Sequence, residues 1–151
     1  MKLLEVKKGI FTMLDDDEFE YFKKEKLFAC KDVQGNIRVF DMFSYQISRV
    51  IMDSFNNDKV VDHIDGNTLN NQRSNLRTCT QGENMRNQKI SSRNTSGIKG
   101  VSWSKNRERW LACIKGNGKQ IYLGHFICPL MAKLAYNKAA VKYHGEFANF
   151  G

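Results

Sequence analysis

The feature that most constrains this chain is a middle stretch that cannot build a core. Residues 58–93 are polar, dense in Asn, Asp and His, and short of apolar side chains. Folding is driven by burial of apolar surface, so this stretch reads as a site, or else a loop. The chain has 151 residues. That leaves one ordinary domain or two to three small modules, and excludes a large enzyme.

Charge follows the same division. Residues 1–60 hold ten Lys and Arg against eleven Asp and Glu, whereas residues 61–151 hold fourteen against five. The whole net charge of +8 therefore lies in the C-terminal part. Such asymmetry fits a half that faces nucleic acid or a membrane, or else a solvated basic surface. The membrane reading is set aside, because no apolar run approaches the ~18–20 residues that cross a bilayer. Lys2, Glu5 and Lys7 stand where a secretory leader needs an apolar core. Cys30, Cys79, Cys113 and Cys128 form no C-x-x-C pair, which argues against a zinc ribbon and for free thiols in a reducing cytoplasm.

Patterning predicts an α+β chain in three segments, 1–57, 58–93 and 95–151. The first opens with apolar runs at Leu3–Val6 and Ile10–Leu14. Asp15-Asp16-Asp17-Glu18 then suits a helix N-terminus, where carboxylates meet the positive end of the dipole. Phe28–Val33 and Ile37–Phe43 flank a Gln34-Gly35-Asn36 turn, and Ile47, Val50, Ile51 and Phe55 recur at helical spacing. The last segment reads as three strands, Val101–Ser104, Trp110–Lys115 and Gln120–His125, with a Gly116-Asn117-Gly118 hairpin signal. A helix over Leu130–His144 follows, with Pro129 at its start and an alanine-rich stripe.

The middle segment has its own order: a strand ending at Val60–His63, a turn through Ile64-Asp65-Gly66-Asn67, a short strand at Leu76–Thr78, then a helix. Thr80 and Glu83 have capping-box spacing, and Asn84 falls in the first turn. A strand–loop–strand–helix unit of this kind gathers Asp62, His63 and Asn84. Their chemistry suits metal-assisted phosphodiester cleavage. Carboxylate and amide oxygens are hard ligands for magnesium or manganese, and His63 could deprotonate a water near neutral pH. The same residue types also build turn-rich loops in which Asp and Asn bond their own backbone. Asp65, Asn67, Asn70 and Asn71 read that way; for Asp62, His63 and Asn84 both readings stand on spacing alone.

The run Asp62-His63-Ile64-Asp65-Gly66-Asn67, with Asn70-Asn71, Ser74-Asn75-Leu76-Arg77, Asn84 and Asn87, resembles the HNH endonuclease family, in its phage and intron-encoded homing type. The resemblance implies a ββα-metal fold. It makes His63 the general base and Asn75 the residue that braces the loop and orients the histidine. Asp62 and Asn84 become the ligands of one divalent metal, magnesium or manganese, and Asn is an accepted variant at the Asn84 place. Arg77 is expected on the DNA, while Arg73 stands one place off the family's arginine.

Residues 95–151 hold nine basic and two acidic side chains. Alternation puts Trp110, Ala112, Ile114, Ile121 and Leu123 on the face toward the helix and Lys115, Gln120 and Tyr122 on the other. Lys99, Lys105, Arg107, Arg109 and Lys119 lie at strand ends and turns. The pattern Gly97-Ile98-Lys99-Gly100-Val101, Trp110-x-Ala112-x-Ile114, Tyr122-Leu123-Gly124-x-Phe126 and Ala135-Tyr136-x-x-Ala139-Ala140 resembles the DNA-binding domain of plant ethylene-response factors, the APETALA type. That family lays a three-stranded sheet in the major groove. By position, Lys99, Ser102, Lys115, Gln120 and Tyr122 match its DNA-facing places. Ser102, Gln120 and Tyr122 depart from the Arg and Trp of plant proteins, so plant base preference does not carry over.

Together these readings lead to an expectation: a small metal-dependent endonuclease or nickase acting on double-stranded DNA. It needs no small-molecule substrate or membrane, and works as a monomer or weak dimer in the cytoplasm of a bacterial cell or phage-infected host. The rival is a DNA-binding regulator whose HNH unit is inactive or structural.

Overall fold

The computed structural model describes residues 1–55, 58–91 and 93–151, and it is α+β throughout. The end of the first expected segment, at 56–57, lies outside the described residues. By packing, the chain divides into two compact units, Met1–Asn84 and Met85–Gly151.

The first unit is built from three antiparallel ribbons of two strands each. β1 (Lys2–Lys7) pairs with β2 (Ile10–Leu14), β3 (Phe28–Lys31) with β4 (Ile37–Phe40), and β5 (Val60–His63) with β6 (Leu76–Cys79). An isolated two-stranded ribbon is marginal in water. These three survive by sharing one core of Leu14, Phe22, Val39, Ile47, Ile51, Val61 and Leu76. Residues on both sides of position 58 contribute, so the apolar-poor middle stretch is completed by the N-terminal piece. Two short helices close the core: α1 (Asp16–Phe22), which buries Phe22, and α2 (Ile47–Ile51), which buries Ile47 and Ile51. The apolar period that reaches Phe55 outruns α2, because Asp53 takes a left-handed φ of 47° that ends the helix.

The acidic run at Asp15 starts α1 as expected, but Asp15 makes no side-chain cap bond. Its carboxylate instead accepts from the Arg73 N–H (2.9 Å) and the Gln72 amide (3.0 Å). These bonds hold the Asp15 carboxyl below its ordinary 3.8. Arg73, one place off its family position, pairs through Nε with Glu18 of α1 at 2.5 Å. The acidic helix start is thus a clamp on the 72–73 backbone.

The second unit is a three-stranded antiparallel sheet of β7 (Val101–Ser104), β8 (Arg109–Gly116) and β9 (Lys119–Phe126), backed by the helix α4 (Pro129–His144). A further helix, α3 (Gln81–Asn87), leads from the first unit into it. The β8–β9 turn has Asn117 at φ 50° and Gly118 at φ 76°, the two positive angles that a tight two-residue hairpin needs. Ala132, Ala139 and Ala140 are buried toward Val101, Ala112 and Ile114. Their small side chains let α4 lie close to the sheet.

Candidate active site and nucleic-acid interface

The site begins at the end of β5. Register pairs Asp62 with Arg77 and His63 with Leu76 across the β5–β6 ribbon. Asp62 and His63 are each 6 % exposed. Oδ2 of Asp62 accepts from Arg77 Nε (3.0 Å) and Nη2 (2.8 Å). Arg77 was expected on DNA; its guanidinium is instead largely buried in this ion pair, where it offsets the cost of a buried carboxylate.

The loop after His63 is closed by Asn75. Its carbonyl takes the Ile64 N–H (2.9 Å), its Oδ1 takes the Asp65 N–H (3.1 Å), and its Nδ2 donates to Asp65 Oδ1 (3.0 Å) and the Asn70 carbonyl (2.8 Å). Burial alone would raise the Asp65 carboxyl. Bonds from the Asn67 N–H and the Asn70 and Asn75 amides outweigh it and hold it below 3.8.

One contact of the His63 ring comes from Asn71, a residue expected to bond within its own turn. Asn71 Oδ1 lies 3.1 Å from His63 Nε2. Asn71 is 2 % exposed, so it is a core residue, not one that bonds only its own turn. Its amide donates to Thr12 Oγ1 of β2 (2.9 Å). One sequence signal was available: Ile10, Thr12 and Leu14 share the inward face of an alternating strand, and a polar residue there requires a buried partner. Burial is the chief cause that pulls the His63 imidazole below its ordinary 6.5, and the nearby charge of Arg38 on β4 adds to it.

Thr80 and Glu83 form the expected capping box. The Thr80 N–H donates to Glu83 Oε2 (2.8 Å), and the Glu83 N–H to Thr80 Oγ1 (3.3 Å). This fixes the start of α3 and sets Asn84, whose N–H returns to the Thr80 carbonyl (3.0 Å). The buried Cys79 thiol sits between the parts. Burial and then the charge of Asp62 push it up to about 11, and the Asn84 N–H bonds toward it. Asp62 and Asn84 therefore share a neighbour.

Among the described residues no group of three or more His, Cys, Asp and Glu converges as a metal cage. A carboxylate plus an amide oxygen is nevertheless the donor set that magnesium accepts, since it keeps several waters and takes the rest of its shell from phosphate oxygens. A softer ion that wants several imidazoles and thiolates finds no such group among the described residues.

In the second unit, Ser102, Lys115, Gln120 and Tyr122 are all exposed on the sheet face away from α4. Ser102, Cys113, Lys115, Gly118 and Gln120 line an open groove of about 610 Å³. Lys105, Arg107, Arg109 and Lys119 are exposed at its turns and ends. Lys99 is placed differently from the expectation. It is half-buried, and its ammonium donates to the Arg86 (2.9 Å) and Gln88 (2.5 Å) carbonyls at the end of α3. Burial pulls it below its ordinary 10.5. Asn149 takes the remaining carbonyl there, that of Asn87 (2.6 Å).

The sheet also carries a residue that simple alternation misses. A bulge separates the pairs Ala112–Gly124 and Cys113–Tyr122. It resets the parity of β9, so His125, opposite Leu111, joins Tyr122 on the outer face. The Tyr122 hydroxyl and His125 Nδ1 are hydrogen-bonded at 2.5 Å. Gly124 inside a strand, at φ 134°, was the available sign.

Residues 49–86 match the family model of the HNH endonucleases, and residues 96–146 that of the AP2 domain. Protein 3.8 of Escherichia phage T7 is 41% identical over 91 residues, covering 60% of this chain and 74% of that protein. An uncharacterized HNH endonuclease of Acanthamoeba polyphaga mimivirus is 31% identical over 146 residues, covering 93% of this chain and 74% of its own. No solved structure matches.

Proposed function

Given that this chain belongs to the HNH endonuclease family and carries an AP2 domain behind the HNH segment, we propose that it hydrolyses phosphodiester bonds of double-stranded DNA in a metal-dependent, homing-type reaction. The observation that carries this reading is the state of His63. It is a buried imidazole at the end of β5, held below its ordinary pKa mainly by burial, and set in a loop tied by Asn75. Such a group is neutral and able to take a proton at physiological pH.

In the reaction His63 accepts the proton of the attacking water. Asn75 keeps the 64–70 loop closed, so that the imidazole does not drift from the phosphate. Asp62 and Asn84 would hold one divalent ion, magnesium or manganese. Bound there, such an ion supplies charge stabilisation to the phosphate and to the departing oxygen. Arg77 restrains the Asp62 carboxylate through the bonds to Oδ2.

The outer sheet face supplies DNA affinity. Lys115, Lys105, Arg107, Arg109 and Lys119 neutralise phosphates, and Ser102, Gln120 and Tyr122 meet base edges or sugar. The working organisation is a nuclease segment at 58–93 supported by 1–57, followed by a DNA-binding segment at 95–151. The protein acts on DNA in the cytoplasm of a bacterial or phage-infected cell, as a monomer or weak dimer.

The test is supercoiled plasmid carrying phage or host sequence, incubated with magnesium or manganese. Wild type should nick or linearise it. His63→Ala should cut slower by about 10²–10⁴-fold, the usual contribution of a general base. If the wild type binds the DNA and cuts none of it in either metal, the protein is instead a DNA-binding regulator with a structural HNH unit.

A further inference from the structure

We propose that Thr12 and Asn71 form a positioning device for the nuclease: together they fix the proton of neutral His63 on Nε2, so that Nδ1 is the basic nitrogen. This inference rests on the reading of His63 as general base and names what prepares it.

The proton assignments follow from one fixed end. The Leu69 carbonyl only accepts. It takes the Met13 N–H (2.8 Å) and the Thr12 hydroxyl (2.9 Å). A hydroxyl has one proton to give. Once that proton points at Leu69, Thr12 Oγ1 is an acceptor toward Asn71, and the atom facing it at 2.9 Å must be the amide nitrogen. The Thr68 carbonyl, 3.5 Å from the same nitrogen, makes the same demand. A flipped amide would set its oxygen against two other acceptor oxygens. Asn71 Oδ1 therefore faces His63, and an amide oxygen only accepts. The nitrogen 3.1 Å away, Nε2, must carry hydrogen. In a neutral imidazole the lone pair is then on Nδ1.

The device is rigid because both side chains are enclosed; Thr12 is 0 % exposed. The backbone repeats the lock. The Asn71 N–H donates to the Met13 carbonyl (2.9 Å), and Met13 and Asn70 form a parallel bridge. The β1–β2 hairpin, 59 positions before Asn71 at the Thr12 contact, is thus a working part of the nuclease.

The test reads tautomer and turnover separately. In ¹⁵N-labelled full-length protein without added metal, long-range ¹H–¹⁵N correlation of the imidazoles at a pH where His63 is neutral should show the Nε2–H pattern. Asn71→Ala and Thr12→Val should give a mixture of the two neutral tautomers. Thr12→Ser, which keeps the hydroxyl, should retain the single pattern. With DNA and magnesium, the first pair should lose about 10²-fold in kcat with KM little changed, as small misplacements of a reacting group do. The inference is overturned if wild-type His63 carries its proton on Nδ1, or if the folded Thr12→Val protein keeps the single Nε2–H pattern. If the tautomers respond as expected and the wild type cuts no DNA, the nuclease reading falls while the proton assignment stands.

Discussion

His63 makes two predictions at the scale of a single side chain. Because burial is the main force holding its pKa below 6.5, the acid limb of the cleavage rate should fall below pH 6.5, as a rate profile in one metal would record. The same shift has a sign for stability. Below pH 6.5 the unfolded chain binds a proton that the folded imidazole refuses, so stability drops as pH falls from 6.5 toward the folded value. His63→Gln should lose that dependence, measured by urea unfolding at several pH values in this window. The carboxyls of Asp15 and Asp65, depressed by their bonds, act lower: their contribution is present above 3.8 and lost as pH falls through their folded values. Removal of a partner should cost more than either. Arg77→Ala leaves a buried Asp62 carboxylate without its main cation, and should destabilise the first unit by about 3–5 kcal/mol in denaturant unfolding. Asp62, His63, Asn75 and Asn84 stood out in the sequence because their spacing is fixed by a short unit. Asn71 did not, because a polar residue in a turn-rich stretch looks the same whether it bonds its neighbour or Thr12. The same holds for Arg77 and Lys99. A basic residue in a motif shows its charge, but not whether a carboxylate or a helix end takes it up first.

Secondary-structure elements were legible to the degree that their signals were local. The β8–β9 hairpin, the capping box of α3 and the span of α4 depend on residues a few positions apart, and all three appear where the pattern puts them. The bulge at Gly124 was less legible, since its effect on His125 depends on what lies across the ladder. It leads to a prediction about DNA: Tyr122→Phe and His125→Ala should weaken binding to a similar extent, and the double change should cost less than the sum, because the two groups act as one hydrogen-bonded pair. Titration of a labelled duplex would measure it. Gly100 is the matching test of packing. At φ 69°, a Cβ there would sit 2.2 Å from the Tyr136 ring and 2.6 Å from the Cys113 carbonyl. Gly100→Ala should therefore destabilise the sheet–helix unit by about 1–3 kcal/mol, seen as a lowered thermal midpoint.

Across the whole molecule, the basic excess has a location. Nine of the 24 Lys and Arg fall after residue 94 against two acidic side chains; of the exposed ones, Lys138 and Lys142 lie on α4, while Lys105, Arg107, Arg109, Lys115 and Lys119 belong to the sheet and its turns. If about five phosphates are neutralised there, log affinity should fall with log salt at a slope near −4.5, and each of Lys105→Gln, Lys115→Gln and Lys119→Gln should flatten it by about 0.9. The full chain with each change, titrated across a salt series, checks this. What the sequence hid at this scale was a shared core. Val61 and Leu76 looked too few to fold anything, and they need not, because Leu14, Phe22 and Val39 complete them. That arrangement bears on how such a nuclease could pass between genes. The family match begins at residue 49, but a recipient that took only that part would gain Asn71 without the Thr12 hydroxyl that its amide meets. Recombination inside the β1–β2 hairpin should therefore be far less tolerated than its distance from the family match suggests.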